Sequence, residues 1–467
     1  MEHVHFIGIG GTGLSAIATV LLERGYTVSG SDRQESPTTR HLEAIGAQVF
    51  IGHRSEQVAN ADLVLRSSAI ADSNVEVQAA LAAGIPVLKR ENFLGKLMAG
   101  QQGIAVAGTH GKTTTTAMLA WLLIDLGRDP SYVIGSPSLD LGGSAHAGNG
   151  RFFVIEADEY DRMFLGIRPY VAVVTNVEHD HPDCYPTPRD FMHAFEVFVS
   201  QIEPGGILIA CGDDPGAAKL IVKAQSNAQR VISYGIQAEE LDYRASQLHR
   251  NRWGGFDFDV YRQDSERLAS LHLRVPGKHN VLNALAAFSV GDYLGLNSIE
   301  VAKSLDQFRG TSRRFEMRGV VAGVTLIDDY AHHPTEIRAT LAAARVRFPG
   351  QEIWAVWQPH TYSRTRTLMA DFMKSFSDAD HVMITEIFAA REKPPADGFS
   401  ARQIANAMAS GTEPLNSDVY FAPDLDAATT LLLKHVGPGQ VVLVLSAGDA
   451  NQISERLLQS LHERNSS

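Results

Sequence analysis

Gly108-Thr-His-Gly-Lys-Thr113 sets two glycines, a lysine and a threonine where an apolar strand, Ile104-Ala-Val-Ala107, gives way to a helix. At such a turn, backbone N–H groups and the positive end of the helix dipole can hold phosphate oxygens. Lys112 is placed to neutralise the terminal phosphates and the Thr113 hydroxyl to coordinate Mg²⁺. Gly108, Thr109, His110, Gly111 and Thr114 complete the cradle expected for ATP. The full pattern would carry a glycine where Val106 stands, so the loop is a shortened one. A glycine turn that merely reverses the chain does not account for lysine and threonine at those offsets.

Other residues point the same way. Glu156 ends an apolar strand and His181 follows the next one, in Asn176-Val-Glu-His-Asp-His181. In a parallel sheet both lie on the rim that carries the phosphate loop. Either residue alone fits a solvated turn as well as a metal site, but beside the loop they read as metal neighbours. A histidine among oxygen ligands suits a second site that would also take Mn²⁺. Gly8-Ile-Gly-Gly-Thr-Gly13 matches the dinucleotide fingerprint, with Asp32 nineteen residues after Gly13. On its own this reads as NAD, yet it requires only a backbone that can approach a diphosphate. Asn280 and Asn283 stand one turn apart at a helix start, where they suit a purine edge and Asn280 equally suits a helix cap. Asp328-Asp-Tyr-Ala-His-His-Pro334 and His360-Thr-Tyr-Ser-Arg-Thr-Arg366 each follow a strand, and their acids, histidines and cations suit a carboxylate-bearing substrate.

Three α/β units in series are needed to position these groups. The 467 residues divide into about three domains of ordinary size. Strands and helices alternate from Val4, again from Ile104 and again from Val324, the signature of parallel sheets with covering helices. We expect a Rossmann-like first domain at 1–98, a central P-loop ATPase domain with a mixed sheet at 99–308 and a Rossmann-like third domain at 309–467. Glu91–Gly103 reads as the first linker. Residues 231–275 alternate apolar and polar side chains and read as an antiparallel appendage, with Leu271–Val275 as one of its strands. Disorder is expected only at about 463–467.

Composition narrows the class. Apolar residues make up 44% and charged residues 20%, the balance of a soluble globular protein. The net charge of -12 argues against a nucleic-acid or anionic-membrane surface. Cys184 and Cys211 cannot build a disulfide framework, which fits a reducing cytoplasm. The amino terminus lacks the marks of a signal peptide, and no apolar run approaches membrane-spanning length, so membrane insertion is not expected.

Together the motifs resemble the Mur ligase family of peptidoglycan synthesis. The resemblance covers almost the whole chain and rests on the two glycine loops and on Ser29-Gly-Ser-Asp32, Ser67-Ser-Ala-Ile70, Glu156-Ala-Asp-Glu159, Asp180-His181, His279-Asn-Val-Leu-Asn283, Arg313-Arg-Phe-Glu316, Asp328 to Glu336 and Gln358 to Thr365. It implies an ATP-dependent ligase that joins L-alanine to the carboxylate of UDP-N-acetylmuramate through an acyl phosphate. The protein would be a cytoplasmic monomer or homodimer. By the resemblance Gly10, Gly11, Thr12 and Gly13 would hold the UDP diphosphate, with Asp32, His53 and Ser68 nearby, and the fingerprint would not bind NAD. Asn280 and Asn283 would meet adenine, Arg314 and Asp329 would reach the ATP from the third domain, and Thr113, Glu156 and His181 would hold the metal. Tyr330, His332 and Arg364 would line the amino-acid pocket, with Lys112, His332 and Arg364 acting on the reaction. Relatives often carry an arginine where Thr361 stands.

Overall fold

The computed structural model describes residues 2–410 and 417–466. Three sheets follow one another along the chain. The first is five-stranded and parallel, in the order β3-β2-β1-β4-β5, with β1 His3–Ile7, β2 Thr27–Asp32, β3 Gln48–Ile51, β4 Leu63–Arg66 and β5 Val87–Lys89. The strand order reverses at β1, so the loop after β1 opens on the crevice where such sheets bind ligands.

Ten strands make the second sheet: β6 Gln102–Ala107, β7 Ser131–Val133, β8 Ala145–His146, β9 Phe152–Glu156, β10 Val171–Val174, β11 Ile207–Cys211, β12 Val231–Gly235, β13 Tyr243–Arg250, β14 Phe256–Arg262 and β15 Glu266–His272. Strand β6 lies at its centre, parallel to both β10 and β9, so the loops after β6, β9 and β10 share one rim. The third sheet has six strands, ordered β16-β17-β21-β18-β19-β20, with β16 Glu316–Val321, β17 Val324–Asp329, β18 Ile353–Trp357, β19 His381–Thr385, β20 Asp418–Ala422 and β21 Val441–Leu445. Only β16 runs antiparallel there, and a separate apolar core lies on each face. Strands buried on both faces, such as Val441–Leu445, read as unbroken apolar runs.

Four expectations need correction. Glu91–Gly103 is not a linker: Arg90–Leu97 is a helix, and β6 begins at Gln102. Phe93, Leu94, Leu97 and Met98 recur at helical spacing and are buried, joining the first two domains in one apolar core. The glycine-glutamine turn after them masked that periodicity. Strand β12 pairs parallel with β11 and continues the central sheet, so only β13, β14 and β15 form the antiparallel appendage. Strand β15 stops at His272, short of the expected Val275, because Leu273 and Val275 turn into the core ahead of the next helix. The end of the chain is helical through Asn451–Ser466 rather than disordered, anchored by buried Ile453, Leu457 and Leu461, and Ser467 lies outside the described residues.

Candidate active site

The phosphate loop follows β6 and opens the helix Lys112–Asp125. Its shape needs glycine twice. Gly108 has φ +136°, and a Cβ there would lie 2.0 Å from Thr175 Oγ1; Gly111 has φ +80°, and a Cβ there would lie 2.5 Å from Asn283 Oδ1. Both conformations are unfavourable for side-chain-bearing residues. Lys112 Nζ folds back over the loop, donating to Gly108 O at 2.6 Å and Thr109 O at 3.1 Å and pairing with Glu159 at 2.9 Å. Burial works against the lysine charge, but the carboxylates of Glu159, Asp158 and Glu156 outweigh it and raise its pKa. An incoming phosphate therefore meets a lysine already charged and already aimed.

Thr113 Oγ1 donates to Glu156 Oε1 at 3.0 Å, and Gly135 N donates to Glu156 Oε2 at 2.7 Å. Burial raises the pKa of Glu156, so the carboxylate is short of compensating positive charge. His181 occupies the left-handed region at φ +54°, held by its own backbone N–H on Asp180 Oδ1 at 2.7 Å. Its Nε2 stands 3.5 Å from Glu159 Oε1, so the histidine faces Glu159.

Two cavities flank the loop. The smaller, about 300 Å³, is lined by Gly111, Thr114, Asn280, Asn283, Arg314 and Asp329. Asn280 is not the helix cap: the cap position is Gly277, and Asn280 Nδ2 donates back to Pro276 O at 2.6 Å while its Oδ1 accepts from Asn283 Nδ2 at 2.9 Å. Asp329 accepts from Phe315 N and Ala331 N, both at 2.7 Å, and burial pushes its pKa up to about 6.

The larger cavity, about 660 Å³, takes walls from all three domains. Thr12, Gly13 and Arg90 come from the first domain, Lys112, Thr113 and His181 from the second, and Tyr330, His332 and Arg364 from the third. On the first loop, Asp32 Oδ2 accepts from Gly10 N at 2.9 Å, so Asp32 shapes the glycine turn. Gly11 caps the helix Thr12–Glu23. Arg90 Nη1 lies 1.6 Å from where a Cβ on Gly13 would stand, which puts a guanidinium against the positive end of that helix. Arg90 Nη2 also stands 3.7 Å from Asp158 Oδ2, so a carboxylate of the second domain offsets part of that charge, and an anion at the helix start would meet both the dipole and the guanidinium. His53 is turned inward, its Nδ1 2.9 Å from both Ser31 Oγ and Glu76 Oε2, and Ser68 is exposed in the turn after β4.

In the third domain Arg364 is buried and already engaged. Its Nε and Nη2 donate to Asp180 at 3.0 and 3.2 Å, and Nη1 lies 3.1 Å from His360 Nδ1. Although burial opposes ionisation of Asp180, Arg364 and the neighbouring histidines hold its carboxyl well below the usual range. The guanidinium expected to be free for an amino-acid carboxylate is thus shared with the central domain, because a buried aspartate needs a cation beside it. Thr361 sits at φ +63°, a strained position for a β-branched residue, fixed by its N–H on Phe388 O at 2.9 Å.

Known proteins with this arrangement decide the family. Residues 3–102 match the model described as Mur ligase family, catalytic domain, residues 106–291 the Mur ligase middle domain, and residues 313–448 the Mur ligase, glutamate ligase domain. The UDP-N-acetylmuramate–L-alanine ligase of Desulforamulus reducens is 42% identical over 99% of this chain and 98% of its own, and that of Rubrobacter xylanophilus is 42% identical over 98% and 100%. The chain belongs to the Mur ligase family. Among solved structures it resembles the UDP-N-acetylmuramate–alanine ligase of Thermotoga maritima, with TM-score 0.83, 29% identity and all of both chains covered. The murein peptide ligase of Psychrobacter arcticus gives TM-score 0.74 at 26% identity over 99% of both chains.

As a Mur ligase it is an ATP-dependent, amide-forming enzyme. Three site residues escape a reading of types and spacing. Glu159 was visible only as part of the acidic run after β9, where nothing in sequence separates the lysine's partner from its neighbours. Arg90 stands immediately before the segment Glu91–Gly103, which reads as a linker, and carries no motif of its own. Glu336, at the third helical position of Pro334–Arg347, carries the signature of a capping box, which hid its contacts with the phosphate loop.

Proposed function

We propose that the enzyme joins L-alanine to the lactyl carboxylate of UDP-N-acetylmuramate in the cytoplasm, as a monomer or homodimer. The observation that carries this reading is the single cavity into which the diphosphate loop, the ATP loop and the third-domain cluster all open. The full-length likeness to L-alanine ligases selects the substrates within the family.

The first loop would hold the diphosphate on the backbone of Gly10 to Gly13, with Arg90 across it and Asp32 keeping the turn in shape. Adenine would lie in the smaller cavity between Asn280 and Asn283, and Arg314 and Asp329 would close over the nucleotide. The muramate carboxylate attacks the γ-phosphorus, and the bond to the bridging oxygen breaks to release ADP. Lys112, fixed by Glu159, offsets the charge that builds on the transferred group. Thr113 and Glu156, with Glu159 and His181 behind them, would hold Mg²⁺ or Mn²⁺, which supplies charge neutralisation at the phosphates when bound. These oxygen donors suit such an ion, and the destabilised Glu156 carboxylate is the kind of group it would relieve.

The amine of L-alanine then attacks the acyl carbon and inorganic phosphate departs. His332 would take the proton. Its Nδ1 lies between two acceptors, Tyr330 O at 3.0 Å and Glu336 Oε2 at 3.1 Å, so Nδ1 is the nitrogen that carries hydrogen and Nε2 the one left to receive the proton. Tyr330 flanks the same pocket, and Arg364 would present its charge to the amino-acid carboxylate while Asp180 holds it in place.

The test is an incubation with ATP, Mg²⁺ and UDP-N-acetylmuramate and, separately, L-alanine, glycine, L-serine and the tripeptide used in cell-wall recycling, with products weighed by mass spectrometry. Amide formed fastest with L-alanine supports the reading. Product with the tripeptide alone would move the assignment to a recycling ligase, and no amide with any acceptor would sink it.

A further inference from the structure

Arg314 and Glu336 alone, among the described residues, line both cavities. Glu336 reaches in two directions. Its Oε1 lies 3.1 Å from His110 Nδ1, in the phosphate loop. Its Oε2 accepts from His332 N at 3.0 Å and lies 3.1 Å from His332 Nδ1, in the third-domain pocket. The other ring nitrogen of His110 pairs with Glu178 Oε2 at 2.9 Å, and Glu178 in turn accepts from Thr335 Oγ1 at 3.0 Å. The His110 backbone is equally fixed, its N–H on Asn176 Oδ1 at 2.8 Å and its carbonyl accepting from Thr175 Oγ1 at 2.6 Å. His110 is therefore gripped by one carboxylate from its own domain and one from the third.

We infer that Glu336 is a positioning residue that couples the amino-acid pocket to the phosphate loop, holding His332 and His110 in register through its two oxygens. Two features set this apart from helix capping, the ordinary role of a glutamate at that position. Capping uses one oxygen, on the backbone of His332 and His333, and leaves the other free to bond solvent. Here the second oxygen is spent on a different domain. The site is also charged: burial opposes ionisation of Glu336, yet His332 and His110 hold it well below the usual range. Three metal-ligating types, His110, Glu178 and His333, come within 4.8 Å of one another at this joint. Both nitrogens of His110 face carboxylates, and His333 Nδ1 accepts from Thr335 N, which leaves its Nε2 as the N–H; neither ring keeps a lone pair for a metal, and the cluster serves as an ion-pair joint.

The inference rests on L-alanine being the acceptor. It is tested with Glu336→Gln, whose amide oxygen can still cap the helix while the negative charge on His110 is lost, and with His110→Asn as the reciprocal change. Affinity for a non-hydrolysable ATP analogue is measured by calorimetry with UDP-N-acetylmuramate present, without and with saturating L-alanine. The wild type should bind the analogue at least about fivefold tighter when L-alanine is present, within the usual range of coupling between sites. Both variants should lose that enhancement, and the double variant should do no worse than either single one. Without L-alanine the analogue should bind Glu336→Gln no more than a few-fold more weakly than the wild type, so the lost enhancement is read as the ratio of the two affinities within each variant. Coupling that survives in both variants, or that is missing from a wild type that makes product, overturns the inference. A wild type that forms no amide from L-alanine removes the substrate reading instead, and the inference with it.

Discussion

The two glycine loops use the same backbone device in different company. Each follows a central parallel strand and opens a helix, and each needs glycine because a neighbouring side chain fills the space a Cβ would take. The first loop has Asp32 beneath it and Arg90 across it, and its helix begins with Thr12 and Gly13. The second has Lys112 and Thr113 at the helix start, the half-buried Glu156 and buried Glu159 facing them and a histidine tied to the third domain. A diphosphate that is only held needs N–H groups and one cation. A phosphate that is transferred needs charge that stays fixed while bonds change, and a connection to whatever accepts it.

This contrast breaks most visibly at Lys112. Lys112→Ala should lower kcat by about a thousandfold or more, the scale of removing a preorganised electrostatic group, and leave UDP-sugar binding by calorimetry unchanged. Loss of UDP-sugar binding would mean that the loops are not separate sites. Arg364→Ala tests the tie to the third domain, since it leaves Asp180 buried and unpaired. Thermal unfolding should show a loss of about 3 kcal/mol, and Arg364→Ala with Asp180→Ala should recover much of it. An Arg364→Ala protein of full stability would contradict the shared guanidinium. Gly13→Ala acts on the first loop by displacing Arg90, and should raise the Michaelis constant for the UDP-sugar about tenfold, near 1.4 kcal/mol, without changing that for ATP.

The smallest effect is on pH dependence. His110 ordinarily titrates near 6.5; burial disfavours its charge, and the hydrogen bonds to Glu178 and Glu336 outweigh burial and raise it to about 9. Stability from a raised pKa is complete below the unfolded value and is lost as pH rises through the folded one. Affinity for the ATP analogue should therefore fall a few-fold between pH 8 and pH 10, by the scale of one lost charged contact, and flatten in His110→Asn. UDP-sugar affinity should show no such limb.

Much of this was legible beforehand, for a physical reason in each case. Strands such as Ile353–Trp357 and Val441–Leu445 are apolar on both faces and admit one reading. Lys112 and Thr113 are tied to their roles by spacing along a single turn. What sequence could not supply are partners distant along the chain: Glu159 on Lys112, Arg90 on Gly13, Asp180 on Arg364 and Glu336 on His110. Each is an ordinary charged residue whose meaning comes from an element packed against it, within the same domain for Glu159 and Arg90 and in another domain for Asp180 and Glu336. The helix Arg90–Leu97 differs, because its apolar spacing is present in the sequence and only the glycine-glutamine turn after it masks the pattern.

The central claim is that the phosphate held by the second loop passes to the carboxylate delivered by the first. It is tested most directly with UDP-N-acetylmuramate labelled with ¹⁸O in its carboxylate, incubated with ATP, Mg²⁺ and L-alanine. The account predicts that one labelled oxygen per turnover leaves in the inorganic phosphate, because amine attack expels the oxygen that joined carbon to phosphorus. Unlabelled phosphate alongside amide product would contradict it.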